Sequence, residues 1–520
     1  MLHGHTSTVR PIRPRPQITD RAPVCRPRAD REQASSGPRP DHERNTNERR
    51  RWNMAHDRTD PAPADPRGTW RLIAALAVAS TGGSFMQTLV VPIQNHLPGL
   101  LDASRASTAW VLTISLVAAA VTTPISGRLG DLFGKRTVAL ALIGLLILGS
   151  LVAALSTGLV GLLVGRALQG ASMGIIAVAI SILGDHPDPR RSTTGIAIVS
   201  ASLGFGGALG LPLSAWVVQL GDWKLLFWAS ALLGVITFLG ILAAVPASPG
   251  THQRVDVLGA IGLAAGLSGI LIAVSQGPVW GWASAPTLGL GFGGVAVLLA
   301  WGVFELRVAE PIVDLRLLAR RRLLLVNLGS IALGFSFFVM EVAFMQMLEL
   351  PADTDAGLGL TMLGGSLALV PGALAMMALA PVSARLIRGL GGHMATGIGA
   401  LTIALAYGYT LVWHDAVGHL VLSSTVLCAG LALAYAAIPT LVMAEVPRSV
   451  TGSANGVNAL MRSVGTSSGA AVTGMVLAAT SQSHAGAEVP ALSGFLVVFA
   501  LGLVTALACL MLVWAAHRSH

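Results

Sequence analysis

Long apolar segments recur along the chain after about residue 70, and they constrain the fold more than any other feature. Each is about 20 residues long, enough for a helix to cross a hydrocarbon core of about 30 Å. Charged residues make up 11% of the 520 residues, whereas soluble domains carry about 25%. The segments are continuous rather than alternating, which excludes a membrane barrel. We therefore expect an all-α polytopic membrane protein.

The apolar segments are separated by short polar connections, and we predict fourteen membrane spans. Their predicted ranges are 72–92, 108–126, 137–156, 158–183, 194–219, 225–245, 257–276, 287–306, 325–348, 360–384, 394–413, 419–443, 456–480 and 492–516. An even number of spans places both termini on one side of the membrane.

Positive charge is unevenly distributed between the predicted connections, and the chain has a net charge of +9. Arginines fill the N-terminal tail and every second connection, while the alternate connections carry only Arg105 and Lys224. Cytoplasmic connections are enriched in Lys and Arg, so we predict a multi-pass protein of the inner (plasma) membrane with both termini cytoplasmic. The basic tail lacks the interleaved aromatic residues of a nucleic-acid platform, and no nucleic-acid partner is expected.

Residues 1–68 are rich in Arg and Pro and show no hydrophobic periodicity. Such a segment cannot bury a core, so we predict a disordered cytoplasmic tail. Met54 offers an alternative start, which would make the preceding residues an artefact of the assigned start.

The chain contains an internal repeat, because 123–134 (TPISGRLGDLFG) echoes 380–391 (APVSARLIRGLG). Pro, Ser, Arg, Leu and Gly coincide in register, at the exits of the second and tenth predicted spans. Two six-helix halves, 72–245 and 325–516, with two inserted helices at 257–306, would produce this offset. Paired halves with a site between them are typical of secondary transporters.

The connection after the second span packs glycines, an acid and cations into a very short stretch. Glycine permits close helix approach, and an acid can pair with cations or cap a helix N-terminus. The stretch resembles the signature loop G-x-L-a-D-x-x-G-r-k of the major facilitator superfamily. The resemblance implies a gating role for Gly127, Arg128, Asp131, Gly134, Lys135 and Arg136. The alternative is a plain cytoplasmic turn ordered by a surface salt bridge.

An arginine lies within the fourth apolar segment, where Arg166 and Gln169 fall on one helix face. A buried guanidinium is costly in a membrane, so it should face a partner or a water-filled cavity. The surrounding residues resemble the family motif l-x-x-x-R-x-x-q-G, which implies that Arg166 takes part in proton coupling. The alternative is that Arg166 snorkels to an interface.

The fifth segment carries Gly207, Gly210 and Pro212 and resembles, imperfectly, the antiporter motif G-x-x-x-G-P-x-x-G-G. Leu211, Ala215 and Trp216 stand where the motif has other residues. Small residues at this spacing also allow close helix packing without any role in coupling, and that alternative stays open.

The first segment departs from the fourteen-helix relatives, which often have an acid in l-D-x-T-i-v-n-v-A-l-P. Met86 occupies the position of the acid, and the neutral Gln87 follows it. Without this acid, the resemblance gives weaker support for binding of cationic drugs and for a proton site at this position. We predict that Met86, Gln87 and Gln169 line the substrate path.

Glu341 is then the main acid inside an apolar segment, with aromatic and methionine residues at helical spacing. An acid within a span points to function, so Glu341 is our second proton-coupling candidate, and Phe337, Phe338 and Met345 are candidate substrate-lining residues. The alternatives are an interfacial, solvated Glu341 and ordinary lipid or core contacts for its neighbours. Arg462 is expected to snorkel near the inner end of its span.

The motifs together identify the chain as resembling the fourteen-helix drug:proton antiporter branch of the superfamily, of the EmrB/QacA type. The resemblance implies proton-coupled efflux of hydrophobic drugs or antibiotics by alternating access, with the proton gradient as energy source and no cofactor. The bilayer and a small hydrophobic substrate are the expected partners of a monomer. No phosphate loop, metal-ligand spacing or nucleophile–base arrangement indicates an enzyme. Export of an endogenous metabolite or self-made antibiotic, and a non-transporting membrane sensor, are the alternatives.

Overall fold

The computed structural model describes residues 66–90, 93–94, 97–219, 222–251, 254–484 and 487–518, and these residues are predominantly helical. The predicted tail up to residue 65, including the alternative start at Met54, lies outside the described residues.

The first group of helices precedes residue 246. Its members are α1 (Pro66–Thr88), α2 (Leu97–Leu101), α3 (Arg105–Phe133), α4 (Lys135–Leu155), α5 (Leu159–Ala171), α6 (Ile175–Gly184), α7 (Pro189–Gln219) and α8 (Leu225–Ala244). A single 3₁₀ turn, Ser172–Gly174, joins α5 to α6.

Two long helices and one short helix follow in the middle of the chain. They are α9 (Val257–Trp280), α10 (Ala285–Glu305) and α11 (Leu315–Leu318). The third group contains α12 (Arg321–Glu349), α13 (Met362–Ala378), α14 (Ala380–Leu390), α15 (Gly392–Val412), α16 (Val417–Ala444), α17 (Thr451–Ala479) and α18 (Leu492–Arg518). Between α17 and α18, the antiparallel strands β1 (Ser481–His484) and β2 (Ala487–Pro490) form a hairpin that pairs Ser481 with Pro490.

Within the described ranges, eleven helices are long and apolar enough to cross a membrane, or twelve if the bent pair α13–α14 is one span. The structure confirms a mostly helical, polytopic membrane architecture, with one short hairpin between α17 and α18. The helices α1 and α17 are also long, but glycine, serine and threonine residues interrupt their apolar stretches. The number of fourteen spans, and the domain boundaries drawn from it, therefore stay predictions.

Buried apolar side chains form separate clusters in the two large groups of helices. One cluster is built from α1 to α8 and includes Leu76, Ile143 and Phe227. Another is built mainly from α12 to α18 and includes Phe344, Tyr407 and Phe499. Van der Waals contacts among these close-packed side chains stabilise each group of helices as a packed unit.

The inserted helix α9 packs against both large groups. Leu263, Leu267 and Leu271 lie in one apolar cluster with residues of α3 and α17. A hydrogen bond of 2.6 Å also joins Ser275 of α9 to Thr113 of α3. The next helix, α10, is peripheral, and Phe292 on its surface is 73% exposed. Such an apolar surface is suited to contact with lipid.

The connection after the second predicted span is shorter than the sequence suggests. Residues Gly127 to Phe133 continue α3 as a helix, and Gly134 alone separates it from α4. Gly134 has a φ of 91°, a conformation that side-chain-bearing residues rarely adopt. The helix therefore continues about two turns beyond the predicted span end at residue 126. The helix continues because the polar residues face neighbouring helices rather than lipid.

Candidate functional site

Asp131 lies at the C-terminal end of α3 and contacts the first turn of α17. The backbone N–H groups of Gly452 and Ser453 donate hydrogen bonds to its two carboxylate oxygens, at 3.0 and 2.8 Å. A helix N-terminus has unpaired N–H groups and a positive dipole end, so it favours a carboxylate there. Asp131 is 6% exposed. One buried acid from the first group of helices thus caps a helix of the third group.

Lys135 extends the same contact from the start of α4. Its Nζ donates to the Asp185 carboxylate at 2.6 Å and to the Thr451 hydroxyl at 2.9 Å. It also lies 3.9 Å from an Asp131 carboxylate oxygen. Lys135 is 6% exposed, so its charge is balanced by Asp131 and Asp185 rather than by solvent. We call Asp131, Lys135, Asp185 and the Thr451–Ser453 turn the gate lock, and a gating role for it stays a prediction.

The two helices of the gate lock approach each other at glycine residues. A Cβ atom added to Gly127 would lie 2.2 Å from the carbonyl oxygen of Gly452. A Cβ added to Gly452 would lie 2.4 Å from the carbonyl oxygen of Gly127. The backbones are therefore closer than any side-chain-bearing pair would permit.

The connection 246–251 covers the turn at Gly134. The Ser248 hydroxyl accepts a hydrogen bond from the Lys135 N–H at 3.0 Å, and the Thr251 N–H donates to the Asp131 carbonyl oxygen at 3.2 Å. A Cβ on Gly134 would lie 2.3 Å from the Ser248 carbonyl oxygen. Nearby, the Arg136 guanidinium donates to the Leu242 carbonyl oxygen at 2.7 Å. The turn is thus packed against the connection 246–251 and the end of α8.

Arg128 is 6% exposed and lines a cavity of about 190 Å³ beside the gate lock. Glu310 and Asp314, which precede α11, and Ala454 of α17 also line this cavity. The cavity therefore lies where the first group, the inserted segment and the third group meet.

The echo of the turn also contacts the opposite group of helices. The helix α14 ends at Leu390, and Gly391 repeats the positive φ with a value of 84°. Arg388 is exposed, and its guanidinium donates a 3.2 Å hydrogen bond to the Thr194 hydroxyl on α7. The repeat therefore reproduces the backbone turn and a contact across the two groups, without a buried acid.

Arg166 is buried in the middle of the first group, with 1% of its surface exposed. Its guanidinium donates to the Met86 carbonyl oxygen, the Gln169 side-chain oxygen and the Ser115 hydroxyl, each at 2.9 Å. Its Nε lies 3.4 Å from the Val111 carbonyl oxygen. The alternative that Arg166 snorkels to an interface was wrong, because neutral acceptors surround it on all sides.

The predicted lining residues of the first group occupy two different environments. Met86 is 2% exposed, and its sulfur lies 3.6 Å from the Gln169 side-chain nitrogen, which also donates to the Ser150 hydroxyl at 2.9 Å. Met86 and Gln169 therefore belong to the buried network around Arg166. Gln87 is exposed. The lining role of these residues stays a prediction.

The antiporter-like residues of α7 pack against α1. The Thr88 hydroxyl donates to the Gly207 carbonyl oxygen at 2.9 Å. A Cβ on Gly210 would lie 2.0 Å from the Thr88 hydroxyl oxygen. Pro212 lies inside α7, where its ring removes one helical hydrogen bond. These residues bring α1 and α7 into close contact, and their part in coupling stays a prediction.

Glu341 is half-buried on α12. It interacts electrostatically with Tyr435 and Cys428 on α16. Phe337, one turn earlier on α12, contacts the Tyr435 ring edge-to-face at 6.3 Å between centroids. Phe338 and Met345 are half-buried as well, and Met345 packs against α13 at Gly365. Glu341 thus lies among aromatic side chains inside the third group.

Arg462 was expected to snorkel near the inner end of its span, and its position relative to the membrane surface stays a prediction. The helix α17 begins at Thr451 rather than at the predicted residue 456. At 1.5 Å per residue, Arg462 therefore lies about 16 Å along the helix. It is half-buried, and its guanidinium carbon lies 5.3 Å from the Tyr435 ring centroid.

Sequence reasoning missed Asp185, Thr451 and Tyr435. Asp185 directly follows the apolar helix α6. An acid at the end of an apolar segment could have marked it as a candidate partner for a nearby cation. Tyr435 is one of 3 tyrosines in the chain and lies inside an apolar segment, which was a comparable signal. Thr451 carries no signal of its own, since its role depends on a contact with Lys135.

A second polar contact lies at the hairpin between α17 and α18. The His484 ring nitrogen lies 3.0 Å from the Asp353 carboxylate in the connection after α12. This hydrogen bond lowers the pKa of the exposed Asp353 carboxyl group. The pair joins two connections of the same group of helices.

Comparisons with a family profile and with individual proteins all match this chain to transporters or to resistance proteins. The profile described as Major Facilitator Superfamily matches residues 72–470. The tetracenomycin C resistance and export protein of Streptomyces glaucescens is 26% identical over 421 residues, which cover 79% of this chain and 76% of that protein. The lincomycin resistance protein LmrB of Listeria monocytogenes serovar 1/2a is 26% identical over 325 residues, or 62% of this chain and 67% of the relative.

Solved structures show the same fold. The human organic anion transporter MFSD10 aligns with a TM-score of 0.59 and 17% identity, over 86% of this chain and 100% of the other. The proton:xylose symporter XylE aligns with a TM-score of 0.57 and 10% identity, over 84% of this chain and 94% of the other. At these identities the similarity concerns the fold alone.

Proposed function

This chain belongs to the major facilitator superfamily, and we propose that it is a proton-coupled exporter of hydrophobic drugs or antibiotics. It would work by alternating access in the plasma membrane, with both termini cytoplasmic, and without a cofactor. The proton gradient would supply the energy. We propose that it works as a monomer in the bilayer. The family consists of transporters rather than enzymes, which agrees with the lack of a catalytic motif in the sequence.

The gate lock carries this proposal. Asp131 joins a helix of one half to the N-terminus of a helix in the other half through two hydrogen bonds. Hydrogen bonds to a charged group contribute about 1.5–3 kcal/mol each. Bonds of this kind form in one arrangement of the halves and break in another, so they favour the state closed at this end. That is the property required of a gate in a rocking transporter.

Coupling would use Glu341, which is an acid inside a helix of the third group. A proton and a substrate ammonium group would compete for the same carboxylate, so binding of one would release the other. Arg166 would hold the geometry of α1, α3 and α5 through its acceptors. Coupling requires that the proton and the substrate favour different states of the protein.

Export of a self-made antibiotic or another endogenous metabolite is a second candidate. It is favoured by the similarity to the tetracenomycin C resistance and export protein. The two candidates share a mechanism and differ in the origin of the substrate. A compound panel that includes extracts of the native organism separates them.

The direct test is transport in inverted membrane vesicles from an efflux-deficient host. An imposed pH gradient should drive uptake of at least one hydrophobic compound, and an uncoupler should abolish it. The Asp131→Asn variant should lose this uptake at an equal amount of protein in the membrane. Exposure of whole cells to the same panel should show raised tolerance on overexpression.

Two results would contradict the proposal. One is an unchanged tolerance profile together with no gradient-driven uptake across the panel. The other is uptake that persists after the proton gradient is removed and follows a sodium gradient instead, which would contradict proton coupling while leaving export in place.

A further inference from the structure

We propose that the third group of helices carries a subsite for an amphoteric aromatic compound. In this subsite Glu341 binds an amino group, Arg462 binds an anionic group, and Tyr435 lies between them. The inference names the substrate class of the proposed exporter and rests on that function.

Three helices contribute to the subsite. Glu341 follows Phe337 by one turn on α12, so both residues share a face. The Phe337 ring contacts the ring of Tyr435 on α16 at 6.3 Å. The Arg462 guanidinium carbon of α17 lies over the same Tyr435 ring, 5.3 Å from its centroid. The tyrosine therefore connects the acid side of the subsite to the cation side.

The polar atoms of the subsite have bonding capacity left. Tyr435 is 5% exposed, and its hydroxyl group has no hydrogen-bond partner within the described part of the chain. A buried hydroxyl without a partner costs free energy, and most such groups in proteins are satisfied. An unpartnered hydroxyl beside two charged side chains is therefore positioned to receive a ligand group.

The two charges do not neutralise each other. Among the described residues, no ion pair within 4.0 Å involves Glu341 or Arg462. Both side chains are half-buried, and their polar atoms are not among those sealed from solvent without a partner. Each side chain therefore keeps some exposed polar surface that a ligand can contact.

Opposite charges that are not paired favour an amphoteric ligand. A ligand with one charge would satisfy Glu341 or Arg462 and leave the other desolvated, which is costly inside a membrane protein. A ligand with both charges satisfies both. The Phe337 and Tyr435 rings add stacking surface for an aromatic scaffold.

The test uses Nε-dansyl-lysine, which is zwitterionic and fluorescent, and two analogues with one charge each. The methyl ester is cationic and the Nα-acetyl derivative is anionic. Purified full-length protein in lipid nanodiscs should bind the zwitterion at least about tenfold more tightly than either analogue, because each analogue loses one charge-assisted hydrogen bond.

Two variants separate the roles of the charges. Glu341→Gln should abolish the preference for the zwitterion over the Nα-acetyl derivative and retain the preference over the methyl ester. Arg462→Gln should do the reverse. Glu349→Gln, two turns later on α12, and Arg385→Gln, exposed on α14, are matched controls and should retain both preferences.

Tyr435→Phe preserves the ring contacts and removes the unpartnered hydroxyl, so it keeps the proposal testable if a charge variant does not fold. It should weaken zwitterion binding by roughly threefold to tenfold, the effect of one hydrogen bond. Equal affinity of wild-type protein for all three probes would overturn the inference. Absence of saturable zwitterion binding by monodisperse protein would overturn it as well.

The outcome is separable from that of the proposed function. Charge-selective binding without gradient-driven transport would support the subsite and contradict proton-coupled export. Gradient-driven export that is indifferent to probe charge would support export and contradict the subsite.

Discussion

The turn at Gly134 and its counterpart at Gly391 share one backbone design, with φ values of 91° and 84° between two helices. Their charged residues differ in environment. Asp131 is buried and accepts two backbone hydrogen bonds from α17, whereas Arg388 is exposed and contacts the Thr194 side chain on α7. A positive side chain cannot cap a helix N-terminus, so only the first turn can form a buried lock of this type.

The same contrast extends into the interiors of the two halves. Arg166 is enclosed by four acceptors of the first half. Glu341 and Arg462 of the second half are half-buried and lack ion-pair partners within the described residues. Saturated charges hold a structure, whereas unsaturated charges remain available to protons and ligands. On the proposed function, the first half would therefore supply positioning and the second half ligand chemistry.

The largest effect is expected from Arg166→Ala. It would leave buried acceptors at Met86, Gln169 and Ser115 without their donor, and each buried polar group left unsatisfied costs about 1–3 kcal/mol. Thermal unfolding in nanodiscs should shift strongly, and proton-linked transport should be lost. Arg462→Ala is the matched variant and should destabilise much less, since it removes a stacking contact alone. Equal destabilisation of the two variants would contradict the contrast between a fully hydrogen-bonded Arg166 and an Arg462 that has no ion pair among the described residues.

Asp131→Asn should have the next largest effect. The amide oxygen accepts more weakly than a carboxylate, so the closed gate should lose about 1.5–3 kcal/mol, roughly 10-fold to 100-fold in population. The measurement is maleimide labelling of a cysteine at Ala454, which lies beside the lock, in a background without the native cysteines. Labelling should accelerate accordingly.

The matched variant for Asp131 is Arg388→Gln. An exposed hydrogen bond contributes about 0–1 kcal/mol, so labelling at Ala454 should change by less than about fivefold. A similar acceleration in both variants would mean that the two turns act alike.

Glu341→Gln should abolish the gradient-driven component of transport, because a glutamine side chain cannot exchange a proton. We expect ΔpH-driven vesicle uptake by this variant to fall to the level seen without an imposed pH gradient. Glu349→Gln on the same helix should retain uptake. Full uptake by Glu341→Gln would exclude this residue from coupling.

The smallest effect is the difference between Gly134→Ala and Gly391→Ala. Both variants impose a disfavoured φ, at a cost of about 1–3 kcal/mol. A Cβ on Gly134 would in addition clash with the Ser248 carbonyl oxygen at 2.3 Å, while one on Gly391 has no atom within 4 Å. Gly134→Ala should be more destabilising by about 1 kcal/mol or more in thermal unfolding. Equal destabilisation by the two variants would show that the connection 246–251 moves to make room for the Cβ atom at residue 134.

Much of the fold could be predicted from hydrophobic runs and from one repeated motif. The register of the repeat predicted that Gly134 and Gly391 are equivalent, because only glycine readily takes this φ. Two helices are longer than predicted. The helix α3 includes Gly127–Phe133 at its C-terminal end, and α17 begins before Gly456. Polar residues there face other helices, and a hydropathy pattern cannot distinguish that environment from a loop.

The candidate site was only partly predictable. Asp131 and Lys135 follow from the motif, but the acceptors and donors they meet lie about 50 to 320 residues away in the chain. Arg166 was predicted to need partners, yet its acceptors include the Met86 backbone, which no side-chain pattern reveals. The position of Arg462 along its helix could not be predicted, because α17 begins at Thr451 rather than at residue 456.

The connection 246–251 has a practical consequence for protein engineering. It leads from the first half to α9 and α10 and also covers the turn at Gly134 through Ser248 and Thr251. The inserted pair is therefore not a cassette that can be excised by joining α8 to α12. A chimaera that joins the first half to α12 should place its splice point after Thr251, so that this half retains the cover of its Gly134 turn.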